Sequence, residues 1–164
     1  MAQQITTIEL YKEDMKFSAA HYTIFSATER ETLHGHNFTV HAAITAQIHD
    51  LGMPFDYDIY KEKLRSLCKE LNQLTLIAEH SPHQKIEHDG DYLYVHFANE
   101  KIPFLKRDVK LLPICNITVE ELSSWFIQQL TQDEQDLNKY NILQFTIKVF
   151  SGPGQCASIE WKAS

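Results

Sequence analysis

Two histidines one residue apart, His34 and His36, open a long alternating segment, and a third, His21, ends a shorter apolar stripe upstream. From His34 the even positions run His34, His36, Phe38, Val40, Ala42, Ile44, Ala46 and Ile48, whereas the odd ones are mostly small or polar. Period two describes a strand with one buried face. Both imidazoles therefore stand at the end of the apolar face, where a polar ring without a partner is costly. Phe17, Ala19 and His21 share a face of their own segment in the same way. Three neutral ring nitrogens that meet across a sheet and leave a fourth position open form the ligand set of a catalytic zinc ion (Zn2+). A structural zinc site more often closes its shell with cysteines.

The cysteines do not compete for that role. Cys68, Cys115 and Cys156 are far apart and lack any Cys-x-x-Cys spacing, so neither a disulfide framework nor a thiolate site is expected. Cys68 lies on the apolar face of a helical pattern and Cys115 beside Leu111, Leu112 and Ile114, so both are expected in the core. Cys156 sits beside a turn.

The elements that must position the histidines follow from pattern. The chain has 164 residues, 43% of them hydrophobic, which suits one domain over 1–164 with a single core. A net charge of −7 disfavours nucleic acid or an anionic membrane surface as partner and favours a small-molecule substrate. No apolar run approaches the ~20 residues that span a bilayer, and Met1 to Ile5 carry no basic leader, so a cytoplasmic protein is expected.

Residues 5–11 and 15–22 are expected as a strand pair, followed by a polar loop over 26–32 and then the long histidine strand. Tyr60, Leu64, Leu67, Cys68, Leu71 and Leu74 recur at helical spacing, with Asp58 as expected N-cap. Asp89-Gly90 between two alternating runs predicts a hairpin inserted at about 78–112, on which His88 and His96 are expected at the surface. Thr118 and Glu121 predict a capping box before a second helix with Leu122, Trp125, Phe126 and Leu130 on its apolar face. Two terminal strands, over 143–150 and 157–161, complete an α+β fold with helices on one face.

Phe17-Ser18-Ala19-Ala20-His21, Leu33-His34-Gly35-His36-Asn37-Phe38 and Thr118-Val119-Glu120-Glu121-Leu122 together resemble the 6-pyruvoyl-tetrahydropterin synthase and 6-carboxy-tetrahydropterin synthase family, over nearly the whole chain apart from the insertion. The resemblance implies a tunnelling fold: an antiparallel four-stranded sheet with two helices on one face, assembled into a homo-hexamer of two barrel-shaped trimers. It also implies a zinc-dependent lyase acting on dihydroneopterin triphosphate or a related pterin, with a 6-pyruvoyl, 6-carboxy or 6-hydroxymethyl product. Thr118 and Glu120 fall on the family's pterin-binding motif.

Most members carry a cysteine base shortly before His-Gly-His. This chain has Glu29-Arg30-Glu31-Thr32-Leu33 there, and it resembles the branch in which a glutamate takes that role, with Glu31 at the matching place and Glu29 as competitor. Two further departures stand out. The family's Leu-Asp-His proton relay is matched by Leu71-Asn72-Gln73, with Glu79 and His80 as a possible displaced pair. A glutamate that grips the pterin ring is matched by Ser151. These departures favour an alternative, a paralogue that binds metal and a pterin-like ligand as a regulatory oligomer without turnover. An unrelated zinc hydrolase is a third reading, against which the Thr118-x-Glu120 pair speaks.

Overall fold

The computed structural model describes residues 4–164, so the first three positions of the expected leader-free N-terminus lie outside the described residues. Strand β3 (His34–Gln47) is the spine of the molecule. Its 14 residues extend about 45 Å at the usual rise per residue, long enough to hold two partners end to end along one side. Strand β1 (Ile5–Leu10) pairs antiparallel with 42–47 and strand β2 (Lys16–His21) with 34–39. Along the other side β3 pairs with β9 (Ile142–Gly152), and β9 with β10 (Gln155–Lys162). The even positions of β3 from Phe38 to Ala46 are buried as the alternation predicts.

The sheet is larger than the expected four antiparallel strands. It has seven and is mixed, because β4 (Leu74–Ala78) runs parallel to β2, and β8 (Val109–Leu112) parallel to β4. Parallel neighbours need long crossovers. Helix α1 (Asp58–Leu71) is part of the first, and the expected insertion supplies the second. That insertion is more than a hairpin: β5 (Gln84–Asp89), β6 (Tyr92–Phe97) and β7 (Glu100–Leu105) form a separate three-stranded antiparallel sheet. The turn at Asp89-Gly90 forms as predicted, with Gly90 at φ +54°. The next turn passes through Ala98 at φ +48°, a conformation that its residue type does not announce.

Helices α1 and α2 (Val119–Thr131) contribute to one apolar core with the even face of β3. Phe17 stacks on Phe38 at 4.9 Å between ring centroids and meets Phe126 of α2 at 6.0 Å. A third helix, α3 (Glu134–Lys139), escaped the sequence pattern because it is six residues long and buries only Leu137; Asp133 caps it. The cap of α1 is Tyr57 rather than Asp58, whose N–H instead donates to the Asp56 carboxylate. Half of the expected capping box forms at α2. The Thr118 hydroxyl accepts from the Glu121 N–H, while the Glu121 carboxylate accepts from the Cys115 N–H instead of returning to Thr118.

Cys68 is buried as expected, but Cys115 is exposed, because Leu112 and Ile114 take the buried side of an alternating stretch and leave Pro113 and Cys115 on the open side. His88 is exposed, and His96 Nε2 donates to the Glu87 carboxylate on the three-stranded sheet. No helix among the described residues is long and apolar enough to cross a membrane.

Leu64 is fully buried at the centre of the α1 contact with the sheet. Leu64→Ala should therefore lower unfolding free energy by about 2–5 kcal/mol, read as a lower denaturant midpoint at unchanged slope. A loss well under that range would place α1 outside the cooperative core.

Candidate metal centre and cleft

The register of β2 against β3 builds the centre. His21 lies directly opposite His34, and His36 lies opposite Ala19 two positions along, so the three imidazoles share one end of the buried face. Ring centroids are 4.7 Å apart for His21 and His34, 5.2 Å for His21 and His36, and 4.8 Å for His34 and His36. One ring nitrogen from each lies within 4.8 Å of the others.

Backbone carbonyls orient two of the rings. His21 Nδ1 lies 2.9 Å from the Ile117 carbonyl and His34 Nδ1 2.8 Å from that of Thr32. A carbonyl can only accept, so each Nδ1 carries the proton and each Nε2 presents a lone pair. His34 Nε2 faces His36 Nε2 at 3.0 Å, and His21 Nε2 is buried without a hydrogen-bond partner. Burial, followed by repulsion from His34 and His36, lowers the His21 pKa against the opposing pull of the Ile117 carbonyl, so the ring stays neutral. Converging neutral nitrogens with an orphaned buried lone pair suit a divalent cation with nitrogen preference.

Glu31 is brought to this centre by a tight loop. Its N–H donates to the Thr23 carbonyl at 2.9 Å, and its Oε2 accepts from the Thr23 N–H at 2.9 Å. The same oxygen lies 3.9 Å from His34 Nε2. Burial by itself would raise the Glu31 pKa, but the Thr23 hydrogen bond and the nearby imidazoles outweigh it, and the net shift is downward. The carboxylate is thus ionised at neutral pH. Glu29 is exposed at the turn, where its N–H meets the Ser26 hydroxyl, and it does not border the cleft.

A cleft of about 270 Å³ joins these groups. The three histidines, Glu31, Thr118, Glu120 and Ser151 all line it, whereas the competing base candidate Glu29 does not. Thr118 and Glu120 arrive on the first turn of α2, and Ser151 near the end of β9. Thr23, Phe38, Val119 and Gln155 line it too. Phe38 was visible as the next apolar position after His36; Thr23 and Gln155 carry no local signal and come in through loop and turn geometry.

The relay positions go elsewhere within the chain. Asn72 Oδ1 accepts from the Ser18 N–H at 2.8 Å and the Gln73 N–H donates to the Ser18 carbonyl at 2.6 Å, clipping the end of α1 to β2. Gln73 borders a separate cavity with Gly35 and Asn37. Glu79 and His80 are exposed and do not line the histidine cleft.

Purified protein should hold about one zinc per chain, and His21→Ala, His34→Ala or His36→Ala should each abolish stoichiometric metal, because removing one of three nitrogen donors leaves too few ligands for a stable site. Elemental analysis of the folded variants checks this; full zinc content in His36→Ala would mean that the ligand set is different.

Comparison with known proteins agrees with this geometry. A model of the 6-pyruvoyl tetrahydropterin synthase family matches residues 9–162. A Methanocaldococcus jannaschii protein named "Putative 6-carboxy-5,6,7,8-tetrahydropterin synthase" is 26% identical over 144 residues, covering 87% of this chain and 88% of that one. The crystal structure of 6-pyruvoyl tetrahydropterin synthase from Plasmodium vivax is 28% identical with a TM-score of 0.92, covering 98% of this chain and 99% of that one. The Plasmodium falciparum enzyme is 26% identical, also at 0.92, covering 97% and 99%. Two further P. vivax structures are described as catalytic-residue mutants in which a glutamate is replaced by alanine or cysteine. The family match over nearly the full length, together with the shared fold, shows that this chain belongs to the 6-pyruvoyl tetrahydropterin synthase family.

Proposed function

We propose that the protein is a zinc-dependent lyase of pterin metabolism that acts on dihydroneopterin triphosphate or a close relative, with Glu31 as the proton-transferring base. The observation that carries this reading is the ionised Glu31 carboxylate 3.9 Å from His34 Nε2, at the edge of three converging imidazoles. The glutamate described as catalytic in the P. vivax enzyme supports it.

His21, His34 and His36 would hold zinc, which when bound supplies Lewis acidity toward the substrate's side-chain oxygens. Glu31 takes a proton from the side-chain carbon next to the one that bears the triphosphate. The C–H electron pair forms a double bond as the C–O bond breaks and triphosphate leaves, and Glu31 returns the proton to the enol so formed. Its bond from the Thr23 N–H keeps it charged and aimed while it waits. Phe38, buried next to His36, gives the cleft an apolar wall. At the other end Glu120 accepts N–H bonds from the pterin ring, beside Thr118. Ser151 stands in place of a second carboxylate and offers one hydroxyl, a weaker anchor than a charge-assisted pair. The cytoplasmic setting expected from the sequence fits such a substrate.

A homo-hexamer is part of the same reading. Among the described residues β10 pairs only with β9 and β1 only with β3, so the main sheet leaves edges that barrel closure between subunits would cover. Asn72 and Gln73, which cannot titrate and are occupied in holding β2, favour the second reading: a metal- and pterin-binding oligomer without turnover.

Mass spectrometry of zinc-loaded protein incubated with dihydroneopterin triphosphate should find a 6-pyruvoyl, 6-carboxy or 6-hydroxymethyl pterin, and Glu31→Gln should cut turnover by about a hundredfold or more at normal zinc content. Tight pterin binding with no product would select the second reading. Sedimentation should give a hexamer at micromolar concentration, and a monomer there would remove the assembly from the proposal.

A further inference from the structure

The three-stranded sheet supplies none of the cleft lining, yet it is packed against the loop that carries Glu31. Leu93, Val95 and Phe97 of β6 form a second apolar cluster with Tyr22, Ile24 and Ile77. Away from that sheet, the incoming leg of the loop is held by the Asn116 carboxamide, which bonds both backbone groups of Ile24. Between Thr23 and Glu31 its own cross-links are the Ile24–Arg30 bridge, the Thr23–Glu31 exchange and short turn bonds, and a two-stranded ribbon of that size is marginal in water.

Both legs of the loop are tied to the three-stranded sheet. On the incoming leg the Tyr22 hydroxyl donates to Gln84 Oε1 at 2.8 Å. On the outgoing leg Arg30 Nε and Nη2 donate to one Glu100 oxygen at 2.9 and 2.6 Å, while Nη1 donates to the Glu31 carbonyl at 2.8 Å. The guanidinium lies 5.1 Å from the Tyr22 ring centre and 5.8 Å from that of Phe97, and the side chain is only 18% exposed. One planar fork thus joins Glu100, two ring faces and the backbone of the next residue. A single ammonium could not serve all four in that geometry.

We propose that Arg30 and Glu100 are positioning residues for proton transfer at the histidine centre: through this ion pair the three-stranded sheet holds the Glu31 backbone and hence the direction of its carboxylate. The proposal rests on the reading of Glu31 as base. Glu100 is half exposed, and ion pairs at such sites contribute little to global stability, so the pair acts locally on the loop rather than on the fold. A carboxylate displaced by about an ångström is enough to slow a chemical step severely without weakening substrate binding.

The test uses the full-length, zinc-loaded protein and the variants Glu100→Gln and Arg30→Lys. Amide hydrogen exchange at Thr23 and Glu31, whose N–H groups form the cross-loop bonds, should accelerate about tenfold in both variants while amides of β3 and β9 keep their protection. With dihydroneopterin triphosphate as substrate, kcat should fall about tenfold at nearly unchanged KM, the signature of lost positioning, with zinc content intact. Adding Glu100→Gln to Glu31→Gln should lower turnover no further. Unchanged exchange in both variants overturns the brace, and faster exchange with unchanged kcat overturns its catalytic role. Full turnover by Glu31→Gln alone would overturn the assignment of the base, an outcome that the exchange measurement separates from failure of the brace.

Discussion

The antiparallel register of β2 on β3 is the constraint on which the site depends. It sets Phe17 beside Phe38 and His21 opposite His34 in one stroke. A one-residue slip would send His21 to the opposite face, and it would carry Phe17 out of the core at the same time. The stacked Phe17–Phe38 pair beside Phe126 therefore helps to hold the arrangement of the three imidazoles, because any rearrangement that shifts the strands also exposes aromatic surface.

A second junction links everything else to that register. The segment just before α2 touches each part of the centre in turn. The Asn116 carboxamide holds both backbone groups of Ile24, at 3.0 and 2.8 Å, in the loop that presents Glu31. The Ile117 carbonyl sets the tautomer of His21, and Thr118 caps the helix whose first turn carries Glu120. His21, the Glu31 loop and Glu120 are thus tied together through three consecutive residues.

The substitutions relative to the family pattern follow the same logic. A carboxylate proposed in place of a thiol base must stay ionised and aimed, and the Thr23 N–H favours both for Glu31. Asn72 and Gln73 occupy relay positions but are engaged with Ser18, so in this chain the end of α1 secures β2 and with it the register.

The histidine triad, the alternating spine and the apolar faces of α1 and α2 were legible in the sequence, because period two and period 3.6 are direct records of which side of an element is buried. Glu31, Thr118, Glu120 and Ser151 were legible only through the resemblance to a family; no local pattern distinguishes an acid in the cleft from one in water. The parallel strands β4 and β8, the third helix and the exposure of Cys115 were not legible. Parallel pairing is a choice of neighbour far along the chain, a helix of six residues leaves too short a period to detect, and Ala98 at positive φ belongs to a turn without a glycine to mark it. Residue order by itself therefore determined the ligands and the faces that must be buried. Tertiary structure decided what stands next to them, the Thr23 N–H, the Ile117 carbonyl and the Arg30–Glu100 pair, because those contacts join segments whose separation along the chain carries no periodic signal.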